Sequence, residues 1–256
     1  MAIPNILSIA GTDPTGGAGI QADLKSIAAA GGYGMCVITS LVAQNTQGVR
    51  DMHTPPQEFL LAQLDAVFDD VQVDAVKIGM LGDAPTTRAV SEYLRSHPVP
   101  LVVVDPVMVA TSGDRLLTTD AEAALRELVL DHATVVTPNI PELAVLVSDA
   151  PAASFDEAIE QGKHLAGTAQ VQVVVKGGHL AGGKASNALV GPDGSVVLAE
   201  VPRVNTTNTH GTGCSLSSAF ATRLALTGEA DQALKWSSTW LHGAIAAADE
   251  LNVGQG

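Results

Sequence analysis

Short apolar runs alternate along this chain with longer stretches in which apolar positions recur at helical spacing. The runs at 6–10, 35–40, 75–78, 101–105, 134–137 and 171–176 predict strands. The stretches at 20–30, 56–68, 86–95, 120–130, 141–147 and 155–166 predict helices. Within 56–68, Phe59, Leu60, Gln63, Leu64 and Val67 fall near helical spacing. The run Leu101-Val102-Val103-Val104 has no polar alternation at all, the mark of a strand buried on both faces.

Beyond 176 the pattern changes. Residues 188–190 and 196–198 flank Gly191-Pro192-Asp193-Gly194, a hairpin signal. Two helices close the chain, at 214–226 and 230–251, and Leu216, Ala219, Phe220 and Leu224 share a face of the first. The β-α alternation predicts an α/β fold, an open, mostly parallel sheet with helices on both sides. No linker, repeat or composition shift divides the chain, so one domain over 1–256 is expected. Ligands in such folds gather beyond the carboxyl ends of the strands, which turns attention to the loops there.

Composition supports a large core and narrows the partners. Hydrophobic residues make up 46% and aromatics only 3%, so Ala, Val, Leu and Ile must fill the interior. The net charge of −14 argues against nucleic acid or an anionic membrane, because no basic stripe exists to neutralise phosphates. A nucleotide substrate stays open, since local N–H groups, a lysine and Mg²⁺ suffice to hold it. No apolar run reaches the roughly 18 residues of a membrane span, and the N-terminus lacks the pattern of a signal peptide. Two cysteines give no disulfide framework, so a reducing cytoplasm is expected. Cys36, in Met35-Cys36-Val37-Ile38, reads as a buried small hydrophobe.

The most chemical stretch is Asn208-Thr209-His210-Gly211-Thr212-Gly213-Cys214, directly before a helix. Gly211, Thr212 and Gly213 offer backbone N–H groups at a helix N-terminus, a ready anion site. Cys214 sits where the helix should lower its thiol pKa, making it a candidate proton acceptor. After the first strand comes Gly11-Thr12-Asp13-Pro14-Thr15-Gly16-Gly17-Ala18-Gly19. It lacks the Gly-Lys-Ser/Thr of a Walker A loop. Gly17-Ala18-Gly19-Ile20-Gln21-Ala22 matches a dinucleotide fingerprint, but the loop is long and no acid ends the second strand. Asp23, just beyond, either faces what the loop holds or is an ordinary acid near a helix N-terminus.

Other strand-end loops add further candidates. Residues 42–48 read as a loop in which Gln44 can both donate to and accept from a heterocycle edge. Met80, Val107 and Met108 are either pocket walls or core. Asn139-Ile140-Pro141-Glu142 opens a helix. Glu142 is either a capping residue or, with Asp105, a holder of hydrated Mg²⁺. The seven histidines are scattered, with no spacing suited to zinc. Lys176 ends a buried strand and either reaches a phosphate or snorkels to water.

Taken together, seven segments resemble the hydroxymethylpyrimidine/phosphomethylpyrimidine kinases of the ribokinase-like superfamily. They are AGTDPTGGAGIQAD at 10–23, LVAQNTQG at 41–48, KIGML at 77–81, DPVMVATSG at 105–113, TPNIPE at 137–142, KGGH at 176–179 and NTHGTGC at 208–214. The resemblance implies a three-layer α/β/α fold and an ATP- and Mg²⁺-dependent kinase of thiamine biosynthesis. Its substrates would be 4-amino-5-hydroxymethyl-2-methylpyrimidine and then the monophosphate. Gln44 would bind the aminopyrimidine, with backbone contacts from Gly11 and Val42 and with Met80 and Val107 against the ring. Asp23 would bind the hydroxymethyl group, and Lys176 the ATP phosphates. Asn139 and Glu142 would act near Mg²⁺. Gly211, Thr212, Gly213 and Cys214 would form the anion hole. A homodimer is expected from the same resemblance. Two departures stand out: Thr111 where the family often has Lys, and an end at Val253-Gly254-Gln255-Gly256 where relatives continue, as in a trimmed chain or one module of a longer protein. The rival readings are a pyridoxal or pyridoxine kinase of the same superfamily, a non-catalytic pyrimidine-binding regulator and, most remote, a dinucleotide-dependent oxidoreductase.

Overall fold

The computed structural model describes residues 2–108, 117–178, 180 and 183–254. The first half of the chain runs β1 (Asn5–Ala10), α1 (Gly19–Ala30), β2 (Tyr33–Ile38), β3 (Leu41–Asn45), β4 (Gly48–His53), α2 (Gln57–Phe68), β5 (Ala75–Ile78) and α3 (Ala84–Ser96). The second half runs β6 (Val102–Val104), α4 (Thr119–His132), β7 (Val135–Val136), α5 (Ile140–Val147), α6 (Phe155–Ala169), β8 (Gln172–Lys176), β9 (Lys184–Val190), β10 (Val196–Pro202), α7 (Thr212–Thr227) and α8 (Ala230–Ala247).

One eight-stranded sheet has the order β10-β9-β8-β7-β6-β5-β1-β2. Strands β2, β1, β5, β6, β7 and β8 are parallel, and β9 and β10 continue the sheet as the expected antiparallel hairpin. The strands are apolar throughout because both faces are covered. On one face Leu7, Ile9, Val76, Ile78, Val104, Val136, Val173 and Val175 pack against helices α2 to α6. On the other, Ile6, Ala75, Val103, Val135 and Val174 pack against Ile27 of α1, Phe220 and Ala221 of α7, and Ala233 and Leu234 of α8. Both faces show the two-residue alternation of a strand, which the apolar runs hide.

The chain reverses its sense of winding at β1. Strand β2 lies on one side of β1 and β5 on the other. The crevice opened by such a reversal is where α/β sheets bind ligands. The Gly11 and Met80 loops meet there, Gly11 N–H donating to Met80 O at 3.2 Å.

Three expectations need correction. Residues 42–48 are no simple loop: β3 and β4 form a separate two-stranded hairpin with a register shift between Ala43 and Gln44. Its strands are short and mix Leu41, Val42, Val49 and Met52 with polar residues, and the register shift interrupts the alternation, so periodicity gave no clear signal. The last helix stops at Ala247 and finishes in a 3₁₀ turn, Ala248–Glu250. Cys36 is half-buried, because β2 is an edge strand with one flank open.

Candidate active site

Strand periodicity builds the floor of the site. Val103, Val135 and Val174 face α7, so two residues further on Asp105, Thr137 and Lys176 arrive on that same face at the carboxyl edge of the sheet. Lys176 Nζ lies 2.7 Å from Asp105 Oδ1 and 3.9 Å from Glu142 Oε2. Thr137 Oγ1 donates to Asp105 at 3.1 Å, and Ser217 Oγ of α7 donates at 3.2 Å. Burial alone would raise the Asp105 pKa, but Lys176 and Lys77 outweigh it and hold the carboxyl below its ordinary value. Burial likewise works against the Lys176 charge, and Asp105 and Glu142 overcome it, so Lys176 stays protonated.

Glu142 does double duty at the start of α5. Its backbone N–H donates to Asn139 Oδ1 at 2.9 Å, and its carboxylate accepts from Asn139 N–H at 2.8 Å, a reciprocal capping box. The carboxyl is 4% exposed, and burial beside Asp105 pushes its pKa up to about 7 despite Lys176. Asn139 is thereby placed as the helix cap.

Above this floor lies the N-terminus of α7. Its cap residue Gly211 has φ 77°, a left-handed conformation suited to glycine. A methyl group added at Gly213 would sit 3.4 Å from Lys176 Nζ and 3.9 Å from Asp105 Oδ2. Gly213 of the first turn therefore lies close to the Lys176 ammonium, and a helix N-terminus beside a buried cation is what an incoming anion requires.

Cys214 is half-buried here, but its thiol departs from expectation. Burial, with Asp23 and Asp105 nearby, pushes its pKa up to about 11, and Lys77 and the Gly19 N–H only partly counter this. A helix terminus by itself lowers a thiol pKa; burial and two carboxylates from other elements reverse that here.

Asp23 is the second correction. It does not open onto the cleft: it is 0% exposed, and its carboxylate accepts from Ser8 Oγ at 2.6 Å, Ser218 Oγ at 2.7 Å and Lys77 Nζ at 2.9 and 3.0 Å. Ser8 and Lys77 are paired neighbours on β1 and β5, both on the α1/α7 face. Lys77 was the missed residue. Its signal was a lysine inside a strand that is otherwise apolar.

The acceptor-side candidates gather at the sheet reversal. A methyl at Gly11 would lie 2.5 Å from Met80 Cε and 3.5 Å from Val42 Cγ2, so these three touch. Val42 N–H donates to Thr12 Oγ1 at 2.9 Å, and Gln44 Nε2 to Thr12 O at 3.3 Å. The hairpin thus hangs Gln44 over the glycine loop. Val107 is half-buried on the turn after Asp105, and Met108 is core at 1% exposure. Thr111, His179 and the 109–113 part of the fourth matching segment lie outside the described residues. Among the described residues no group of three or more His, Cys, Asp or Glu is arranged to hold a metal ion, and no helix is long and apolar enough to cross a membrane.

A mostly parallel sheet whose carboxyl edge gathers a helix N-terminus, a buried lysine and, at its reversal, a glycine loop is the architecture of a ribokinase-like kinase. Solved structures agree: an ADP complex of Bacillus subtilis pyridoxal kinase superposes with a TM-score of 0.88 at 30% identity, covering 98% of this chain and 100% of that one. The phosphomethylpyrimidine kinase model matches residues 13–256, and the chain belongs to that family. The chain is 46% identical to the hydroxymethylpyrimidine/phosphomethylpyrimidine kinase of Escherichia coli K12, over 98% of this chain and 94% of the relative. It is 62% identical to the thiamine biosynthesis multifunctional protein ThiED of Corynebacterium glutamicum, over 99% of this chain and 33% of the relative. The chain thus spans about a third of the length of the first curated relatives it matches.

Proposed function

We propose that this chain transfers the γ-phosphoryl group of ATP to 4-amino-5-hydroxymethyl-2-methylpyrimidine and then to the resulting monophosphate. The observation that carries this reading is the meeting of Lys176 Nζ with Gly213 at the N-terminus of α7, at the same sheet edge as the Gly11 loop, against which Val42, Met80 and Gln44 pack. In this reading Gln44 reads the aminopyrimidine edge, Gly11 and Val42 supply close backbone contact, and Met80 and Val107 lie against the ring. The Gly213 and Cys214 N–H groups, in the turn opened by Gly211 and Thr212, and Lys176 take the moving phosphoryl group, whose charge spreads over its oxygens in the transition state.

Cys214 stays protonated near neutral pH, so it serves the anion hole and does not take the proton of the alcohol. Asp23 supports the site from beneath and does not reach the hydroxymethyl group. Asp105 and Glu142 fit Mg²⁺, which favours one or two carboxylates together with substrate phosphates and water over a cage of protein ligands. Bound there, Mg²⁺ would neutralise phosphate charge; Asn139 would keep Glu142 in place through the capping box.

The test is ADP release with Mg-ATP and, in separate reactions, the aminopyrimidine, its monophosphate and pyridoxal. Turnover with the first two is expected, and its absence would overturn the proposal. The likeness to the B. subtilis enzyme keeps pyridoxal as the second reading. A pyrimidine-binding regulator would not need the ion-paired Lys176. We further propose a cytoplasmic homodimer; Leu41 and Met52, exposed on the β3–β4 hairpin, offer apolar surface for it, and light scattering in solution decides the oligomeric state.

A further inference from the structure

The glycine loop between β1 and α1 and the segment before α7 are joined by one side-chain contact across the whole chain. Asp13 is 0% exposed, and its Oδ2 lies 2.8 Å from His210 Nε2. An ionised carboxylate only accepts, so Nε2 carries the hydrogen. The other Asp13 contacts all lie within its own loop: Thr15 N–H at 2.9 Å, Thr15 Oγ1 at 2.8 Å and Ala18 N–H at 2.7 Å. Gln21 Oε1 in turn accepts from Asp13 N–H at 2.7 Å. His210 immediately precedes Gly211, the cap of α7.

The surrounding glycines show how tightly the two segments meet. A methyl at Gly17 would lie 2.8 Å from His210 Cδ2, and one at Gly211 only 1.7 Å from Gly17 O. The same loop begins at Gly11, against Met80 and Val42. One end of the loop therefore lies against Met80 and Val42, and the other end abuts the N-terminus of α7.

We propose that Asp13 and His210 are a positioning pair that latches the glycine loop to the N-terminus of α7 and so sets the distance between the acceptor recess and the anion hole. This rests on the kinase reading above for its catalytic consequence, but not for the latch itself. Neither residue touches the reacting atoms. Their effect runs through the backbone of Gly17 and Gly211, where a displacement of about 1 Å costs on the order of a hundredfold in rate.

The test compares the wild type with His210→Ala, His210→Gln and His210→Asn. Glutamine can bring an amide N–H to the position of Nε2, whereas asparagine is too short. The first readout is amide hydrogen exchange at Thr212 and Ser215, which donate to Thr209 O and Gly211 O. It needs no activity. His210→Ala and His210→Asn should speed exchange there about tenfold, and His210→Gln should stay near the wild type. The second readout is kcat and KM for the aminopyrimidine. His210→Ala should lower kcat about a hundredfold with KM little changed, and His210→Gln should restore most of the loss. Unchanged exchange and kcat in His210→Ala would overturn the latch, as would rescue by asparagine equal to that by glutamine. If His210→Ala does not fold, the glutamine–asparagine comparison decides alone. If the wild type shows no turnover, the kinase reading fails and the exchange data still decide the latch.

Discussion

Replacing Lys77 with methionine isolates a fully buried ion pair. Lys77 and Asp23 are both 0% exposed and 2.9 Å apart. Methionine fills most of the lysine volume and makes no cavity argument necessary. What remains is Asp23, still bonded by Ser8 and Ser218 but without its counter-charge. Stranding one partner of a buried pair costs about 3–5 kcal/mol. For a chain of this size each kcal/mol lowers Tm by about 2–4 °C, so a fall of about 6–20 °C is expected. The neighbouring carboxylate raises the Lys77 pKa above its ordinary 10.5 even against burial. A raised folded value means the contribution is full below the unfolded pKa and is lost only as pH climbs through the folded one. As far as Lys77 sets it, the penalty should therefore be constant across neutral pH and shrink in strongly alkaline solution. The assay is thermal and denaturant unfolding of the wild type, Lys77→Met, Asp23→Asn and the double variant. The double variant should be more stable than the sum of the single losses by about 2 kcal/mol. A loss below about 1 kcal/mol in Lys77→Met, or strict additivity, would refute the assignment of a tightly coupled pair.

Lys176→Met should lower kcat for both phosphorylations by about a hundredfold or more, as for loss of an anion-hole donor, measured by ADP release. Lys176→Arg should rescue poorly, because a planar guanidinium does not fit between Asp105 and Glu142 as an ammonium does. Gly211→Ala should abolish activity and lower Tm sharply, given its φ of 77° and the 1.7 Å approach to Gly17 O. Gly213→Ala, with 3.4 Å to a movable lysine end, should keep the fold and lose mainly kcat. Cys214→Ala should slow both phosphorylations equally, and the alcohol step should not follow thiol ionisation between about pH 6.5 and 8.5. A tenfold rise per pH unit that disappears in Cys214→Ala would restore the thiolate as base.

Much of the fold was legible because its strands and helices announce themselves by period. The strand at 75–78 coincides with β5, and the hairpin signal at Gly191-Pro192-Asp193-Gly194 lies between β9 and β10. The β3–β4 hairpin was not legible because its strands are short, mix apolar with polar residues and break register between Ala43 and Gln44, leaving no sustained alternation to read. In the site, loop position marked Lys176, Glu142 and the 211–214 turn, since each follows a strand or opens a helix. The state of Cys214 was not legible. It depends first on burial, and then on Asp23 and Asp105, which lie far away in sequence and meet it only after α1 and β6 pack on α7.

The adjacent serines of α7 explain why that packing matters to the anion hole. Ser217 donates to Asp105 at 3.2 Å, and Ser218 to Asp23 at 2.7 Å. One serine thus joins the Lys176–Asp105 pair, and its neighbour joins the Lys77–Asp23 pair. Consecutive residues point about 100° apart around a helix, so the two bonds fix both the rotation and the axial position of α7 against α1, which carries Asp23, and the end of β6, which Asp105 follows. Apolar contacts from Phe220 and Ala221 alone would tolerate a small slide along the sheet. Two hydrogen bonds to buried carboxylates would not, because each lost bond leaves a charge less solvated. The anion hole begins only a few residues upstream on the same rigid helix. Its N–H groups are therefore positioned by the sheet before any phosphate arrives, the preorganisation that electrostatic catalysis requires.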